Sequence, residues 1–243
     1  MSQYHGSADW TVFLVDGCDM LGAKPKGVTW AIAALNERTD GLGDRYEALT
    51  PTGLAKFTLT QMGAIWDTTI GSIHDTFKMP STVPRTVLLA PAGSSPGAAT
   101  ISIAGVVAVS YAVVGVVGQL TKADVTYQVN GPAATGALVS PYATHTVSWD
   151  TTPTPADNGA ATANGATITL HVSAVVPPAS TVVVVKSSPD GTTWTTLDTF
   201  AAVTTAPTVI THTLAGAIPR YLAVVGTITG AGSITCAVTA ART

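Results

Sequence analysis

The side chains best equipped for chemistry in this chain are few and poorly convergent. Ser72, His74 and Asp75 lie together in GSIHD, offering the residue types of a nucleophile, a base and an orienting acid. A Ser–His–Asp relay needs those side chains to converge from separate segments, so neighbours on one short element are read as capping or surface groups. His5, His74, His145, His171 and His212 include no His-x-His or His-Glu-x-x-His pair and no cysteine at ligand spacing. In the run ERTDGLGDRYEALTPTG, Asp40, Asp44 and Glu47 are spaced four and three apart, which does not match the alternating ligands of a calcium loop. The run is read as a solvated acidic turn. No metal, no cofactor and no catalytic residue is expected, and the chain is not read as an enzyme.

The elements that would carry these residues are strands. Asp16-Gly17, Asp40-Gly41, Asn130-Gly131, Asn158-Gly159, Asn164-Gly165 and Asp190-Gly191 supply turn steps that tolerate positive φ, and Val- and Thr-rich runs of strand length lie between them. A mainly β chain is therefore expected. One helix is predicted over AIWDTTIGSIHDTF, where Ile65, Trp66, Ile70, Ile73 and Phe77 recur at helical spacing. The charge-free stretch 101–120 alternates large and small residues with period two, so it predicts a pair of strands broken near Gly105 or Gly115 rather than a membrane helix.

Composition narrows the function classes further. The 243 residues are 46% hydrophobic but only 10% charged, with a net charge of −3. Such a surface must be covered by Thr, Ser, Ala and Gly or buried against copies of itself. Residues 1–86 hold 7 of the 11 Lys and Arg and 9 of the 14 Asp and Glu. No basic stripe is present, which argues against a nucleic-acid grip. Cys18 and Cys236 are too few for a disulfide framework and are read as free buried thiols. The N-terminus MSQYHGSADW has neither a basic nor an apolar leader region, which fits synthesis in a cytoplasm.

The Pro- and Asn-Gly-rich segment DTTPTPADNGAATANG marks a boundary. The expected organisation is a ring-forming domain over 1–150, a linker over 151–165 and a C-terminal β-sandwich over 166–243. In that last unit, SSPDGTTWTTLDTF reads as a hairpin whose Trp194 either packs the core or lies exposed, where it could stack on a sugar ring.

Three blocks, taken in order, resemble a known family. They are YHG with VFLVDGCDM, then TDGLGDRYEAL with TPTGLAKFTLTQMGAIWDTT, then DNGAATANGATITLHV through SSPDGTTWTTLDTF to IPRYLAVVGTITGAGSITCAVTAAR. Their order is similar to that of the major tail, or tail tube, proteins of long-tailed bacteriophages of actinobacteria. The resemblance implies a tail-tube β-barrel or sandwich with one flanking helix, plus an immunoglobulin-like or jelly-roll-like sandwich decorating the exterior. It also implies a structural virion protein: hexameric rings of this chain, stacked into a hollow tube, in contact with tape-measure and tail-terminator proteins. DNA would pass through the lumen without specific binding, no membrane would be involved, and assembly would take place in the host cytoplasm. The ring-stacking contacts are expected in the loop bearing Asp40, Gly41, Gly43, Asp44, Arg45 and Glu47, with the N-terminal arm 1–9 beside it. The alternative reading is a virion-surface decoration or carbohydrate-binding adhesin acting through Trp194.

Overall fold

The computed structural model describes residues 7–38, 49–69, 72–78, 84–130, 133–177 and 179–243. The protein is mostly β, with 62% of residues in strands and antiparallel sheets of sandwich type. In chain order the first strands are β1 (Val12–Val15), β2 (Cys18–Asp19), β3 (Gly27–Arg38) and β4 (Leu49–Ile65), followed by the helix α1 (Ile73–Phe77). Next come β5 (Arg85–Ala90), β6 (Ala99–Val114), β7 (Lys122–Val129), β8 (Ala133–His145), β9 (Trp149–Asp150) and β10 (Ala156–Asp157). The chain closes with β11 (Ala166–Val176), β12 (Ser180–Ser188), β13 (Thr195–Val203), β14 (Thr208–Leu214), β15 (Tyr221–Thr229) and β16 (Ser233–Arg242).

Apolar alternation explains how these strands stack. In β1 all four residues are buried, because the strand is covered on both faces, and such strands read as continuous apolar runs. Phe13 and Val15 join Val87 and Leu89 of β5, Leu59 of β4, Tyr127 of β7 and the helix residues Ile73 and Phe77 in one cluster. The alternate residues Val12, Leu14, Leu88 and Ala90 turn the other way, onto Leu138 of β8 and Ala237 of β16. The opposite face of β8, β11 and β16, through Val139, Ile168, Leu170, Val172, Cys236 and Val238, packs on Val183, Val185, Phe200, Leu222 and Val224 of the five-stranded sheet. Three apolar clusters thus form the core, two enclosed within the large sheet and one between the two sheets. Each fully buried Leu, Val or Phe contributes about 1.5–3 kcal/mol.

One eleven-stranded sheet follows the order β14-β11-β16-β8-β6-β5-β1-β2, with β3, β4 and β7 branching from β6. β16, at the end of the chain, is hydrogen-bonded to β8 from Ile234 opposite His145 to Ala240 opposite Ala137. The segment expected as a linker carries β10, paired with β15, and a bridge from Thr162 to Ile218. Asp157 in β10 also forms a two-pronged ion pair with Arg220, at 2.7 and 2.6 Å.

Two expectations about local structure need correction. The helix is confined to Ile73–Phe77, because β4 runs on to Ile65, with Ala64 opposite Ala123 and Ile65 opposite Lys122. Ile65 and Trp66 therefore reach the core from a strand end. Asp67 then accepts from the Thr69 backbone N–H at 2.8 Å and also from its hydroxyl, closing a turn that no helix could pass through. The stretch 99–114 is one strand that ends just before Gly115, so the expected break falls at Gly115 and not at Gly105. Gly105, at φ +74°, bends it where pairing with β5 gives way to pairing with β7, so the glycine makes a bulge instead of a break.

Candidate assembly interface

The β3–β4 hairpin has an edge left unpaired among the described residues. Val28 and Trp30 pack on the core, and Trp30 stacks on Phe57 of the facing strand with ring centroids 5.5 Å apart. The same alternation continues to Ile32, opposite Phe57, which is 61% exposed. The hairpin therefore carries its apolar face beyond the layer that covers it. Among the described residues β3 pairs only with β4, so its other edge presents free backbone N–H and C=O groups. From Gly27 to Asn36 that edge contains no charge and no proline, which are the usual guards against edge-to-edge pairing.

A second exposed apolar feature is the turn joining β6 to β7. Val113, Val114, Val116 and Leu120 are largely exposed, and Val117 is fully so at 103%. At its base the Lys26 charge pulls the Lys122 ammonium below its ordinary range, which marks two cations close together beside the apolar tip.

The sequence-predicted contact residues Asp40, Gly41, Gly43, Asp44, Arg45 and Glu47 lie outside the described residues. Their place in the topology follows from their neighbours: Arg38 pairs with Leu49, so the acidic run joins the two arms of this hairpin. Trp194 is half-buried just before β13 and belongs to none of the three apolar clusters. The turn before it is tightly built. One oxygen of Asp190 accepts from the Thr192 and Thr193 backbone N–H groups at 2.9 and 2.8 Å and from the Ser188 hydroxyl at 2.8 Å. Those bonds hold its carboxyl far below the usual range.

The residues with catalytic chemistry are engaged elsewhere. Ser72 is the N-cap of α1 and accepts from the Asp75 N–H at 3.3 Å. His74 bonds through Nδ1 to the Tyr111 hydroxyl at 2.9 Å, and Asp75 pairs with Lys78 at 2.6 Å. The three point to different partners, so no relay forms. A Gly-x-Ser-x-Gly spacing also occurs, at Gly93, Ser95 and Gly97. It lies in the turn between two strands, without the strand-to-helix elbow that exposes a nucleophile.

His145 stacks on Trp149 at 3.8 Å, and His212 bonds Asp198 at 2.7 Å, linking β14 to β13 of the other sheet. His171 is fully buried, with neither ring nitrogen hydrogen-bonded. Cys18 and Cys236 are both buried and unpaired, and burial pushes both thiols up, Cys236 to about 12. No group of three or more His, Cys, Asp or Glu side chains suited to a metal is found among the described residues. Nor does any described helix have the length and apolarity to cross a membrane.

β3 is hard to read from sequence, although GVTWAIAA alternates Val28, Trp30 and Ile32 with Thr29, Ala31 and Ala33. Its small residues blur the period that would have revealed it.

No family model matches the chain, and no curated protein does. Among solved structures, the chain has a likeness to the Dit (gp 19.1) protein of phage SPP1, described as a paradigm of hub adsorption apparatus in phages infecting Gram-positive hosts. That likeness has a TM-score of 0.36 and 14% identity, and it covers 96% of this chain and 98% of that one.

Proposed function

We propose that this chain is a structural bacteriophage tail protein, the tube subunit, whose rings stack into the conduit for DNA ejection. The reading is carried by the three sequence blocks from YHG to VTAAR, which keep the order of the tail tube family across most of the chain. Physical support comes from β3. A twelve-residue strand whose first ten residues carry no charge, with an edge unpaired among the described residues and an exposed Ile32, is an aggregation hazard in a monomer, and a neighbouring copy removes the hazard by continuing the sheet. The acidic connection at the hairpin end, Asp40 to Glu47, then faces an adjoining ring. A net charge of −3 without a basic stripe suits a lumen through which DNA slides, since each cation on a phosphate would add drag. In this reading the rings are hexameric, the tape-measure and terminator proteins are partners, and the assembled protein resides in the virion tail.

Negative-stain electron microscopy of the purified protein over a concentration series tests the reading. Stacked rings with a central hole wide enough for duplex DNA support it. A monomer at every concentration, also in the presence of a tail initiator complex, overturns it.

A further inference from the structure

A concave site lies between the N-terminal and C-terminal strands. It is a cleft of about 540 Å³, within the size range of small-molecule sites. Asp19 in β2 and Asp67 beyond β4 supply carboxylates from one side, and Tyr142, Ser173 and Thr235 supply hydroxyls from the other. Val175, Ala206 and Pro207 give it an apolar wall, and among the described residues no Lys, Arg or His lines it.

The polar groups are held in place before any ligand arrives. Asp19 Oδ1 accepts from the Leu21 and Gly22 backbone N–H groups at 2.9 and 3.3 Å, which fixes the carboxylate. Its Oδ2 accepts a long bond, 3.4 Å, from the Tyr142 hydroxyl. That hydroxyl also lies 2.8 Å from Ser173 Oγ, and Ser173 donates to the Thr235 carbonyl at 3.3 Å. Burial, with the Asp19 charge beside it, raises the Tyr142 phenol to about 12, so it stays a neutral donor. Asp67 stands exposed at the rim, its carboxyl held low by Thr69 and therefore ionised.

Such a site lacks any cation for an anionic ligand and has too much fixed polarity for a purely apolar one. What it offers is carboxylate acceptors on one side, hydroxyls that donate or accept on the other, and a flat apolar wall. A sugar ring has the complementary surface: vicinal hydroxyls that donate strongly to carboxylates, and a C–H face that packs on apolar side chains. We propose that this cleft binds a neutral saccharide ring, its hydroxyls bonded to Asp19 and Asp67 and its C–H face against Val175 and Pro207. The site is distinct from Trp194 and does not rest on ring assembly.

Calorimetric titration of the full chain, at concentrations where it is monomeric, with the methyl glycosides of glucose, galactose, rhamnose and N-acetylglucosamine tests this. At least one is expected to bind saturably in the millimolar range or tighter. Ala174→Trp, at an exposed position on the cleft lining, is expected to abolish binding with an unchanged melting temperature. Tyr142→Phe, which keeps the ring, is expected to weaken binding roughly tenfold, the worth of one hydrogen bond. Trp194→Ala is expected to leave binding unchanged. No saturable binding of any of these glycosides overturns the proposal. So does binding that survives Ala174→Trp but is lost in Trp194→Ala, or saturation by methylammonium alone, which would make the cleft a cation site. Failure to form rings leaves this experiment unaffected, and a cleft that binds no sugar leaves the tube reading intact.

Discussion

The backbone of Gly17 lies directly against the carbonyl of Val172. A Cβ at position 17 would overlap that oxygen and come within 3.1 Å of the Thr208 N–H. Two residues far apart in the chain thereby fix how the β1–β2 turn seats on β11 and β14. Gly17 also has φ +83°, following Asp16 at +50°, so the turn itself demands glycine. Asp16 anchors the same turn, accepting from the Thr86 N–H at 2.7 Å and from Arg85 at 3.1 Å.

Gly17→Ala therefore meets two costs, a strained backbone and a clash with backbone atoms that have no rotamer to yield. The expected loss is about 3 kcal/mol or more. Chemical denaturation of the variant beside Gly22→Ala, whose Cβ would approach nothing closer than 3.5 Å, measures it.

His171 makes stability depend on acid. Burial pushes its ring down to about 3 from an ordinary value near 6.5, because its neighbours give the charged form no partner. The unfolded chain then binds a proton that the folded chain refuses. The stabilisation is complete above about pH 6.5 and is lost progressively as the pH falls toward 3, by a few kcal/mol at its limit. His171→Leu is expected to flatten the melting-temperature profile across that window. At pH 7 it should match the parent or exceed it, since two unpaired ring nitrogens are removed.

Tyr127 and Gln61 form a buried pair, with the Tyr127 hydroxyl donating to Gln61 Oε1 at 3.1 Å. Tyr127→Phe keeps the ring contacts with Phe13 and Phe77 but leaves a buried amide oxygen unsatisfied. A loss of about 1–3 kcal/mol is expected. Adding Gln61→Leu should recover part of it, and a double-mutant cycle by denaturant melts reads the coupling.

If β3 joins neighbouring copies, a charge on its exposed apolar position blocks assembly without harming the fold. Ile32→Lys is expected to give a monomer by light scattering, with a melting temperature within a few degrees of the parent monomer. Replacing residues 39–48 by a short Asn-Gly turn should likewise leave a folded monomer that forms no stacked rings. Normal tubes from that variant would remove the acidic run from the contact.

Much of the architecture is written locally. Runs such as VFLV, VLLA and VVVV are strands because β-branched and apolar residues without helical period fit nothing else, and Asp-Gly and Asn-Gly steps turn the chain. The capping role of Ser72 and the absence of a relay in GSIHD were equally legible, since both depend on near neighbours.

What the local pattern could not decide was partnership across distance. Whether Gly105 breaks a strand or bends it depends on which strands lie alongside, here β5 before it and β7 after. Whether AIWDTT coils or extends was settled by β7, whose Ala123 and Lys122 offer ladder partners that a helix would have left unpaired. The cleft between Asp19 and Tyr142 has no signature in sequence, because its walls come from β2, β8, β11 and β16, brought together only by long-range pairing. Residue types and spacing determined that this chain makes strands and turns. The tertiary structure decided which edges remain free and which polar groups share a cavity, because both depend on which distant segments pair, as when Asp19 meets Tyr142, 123 positions away.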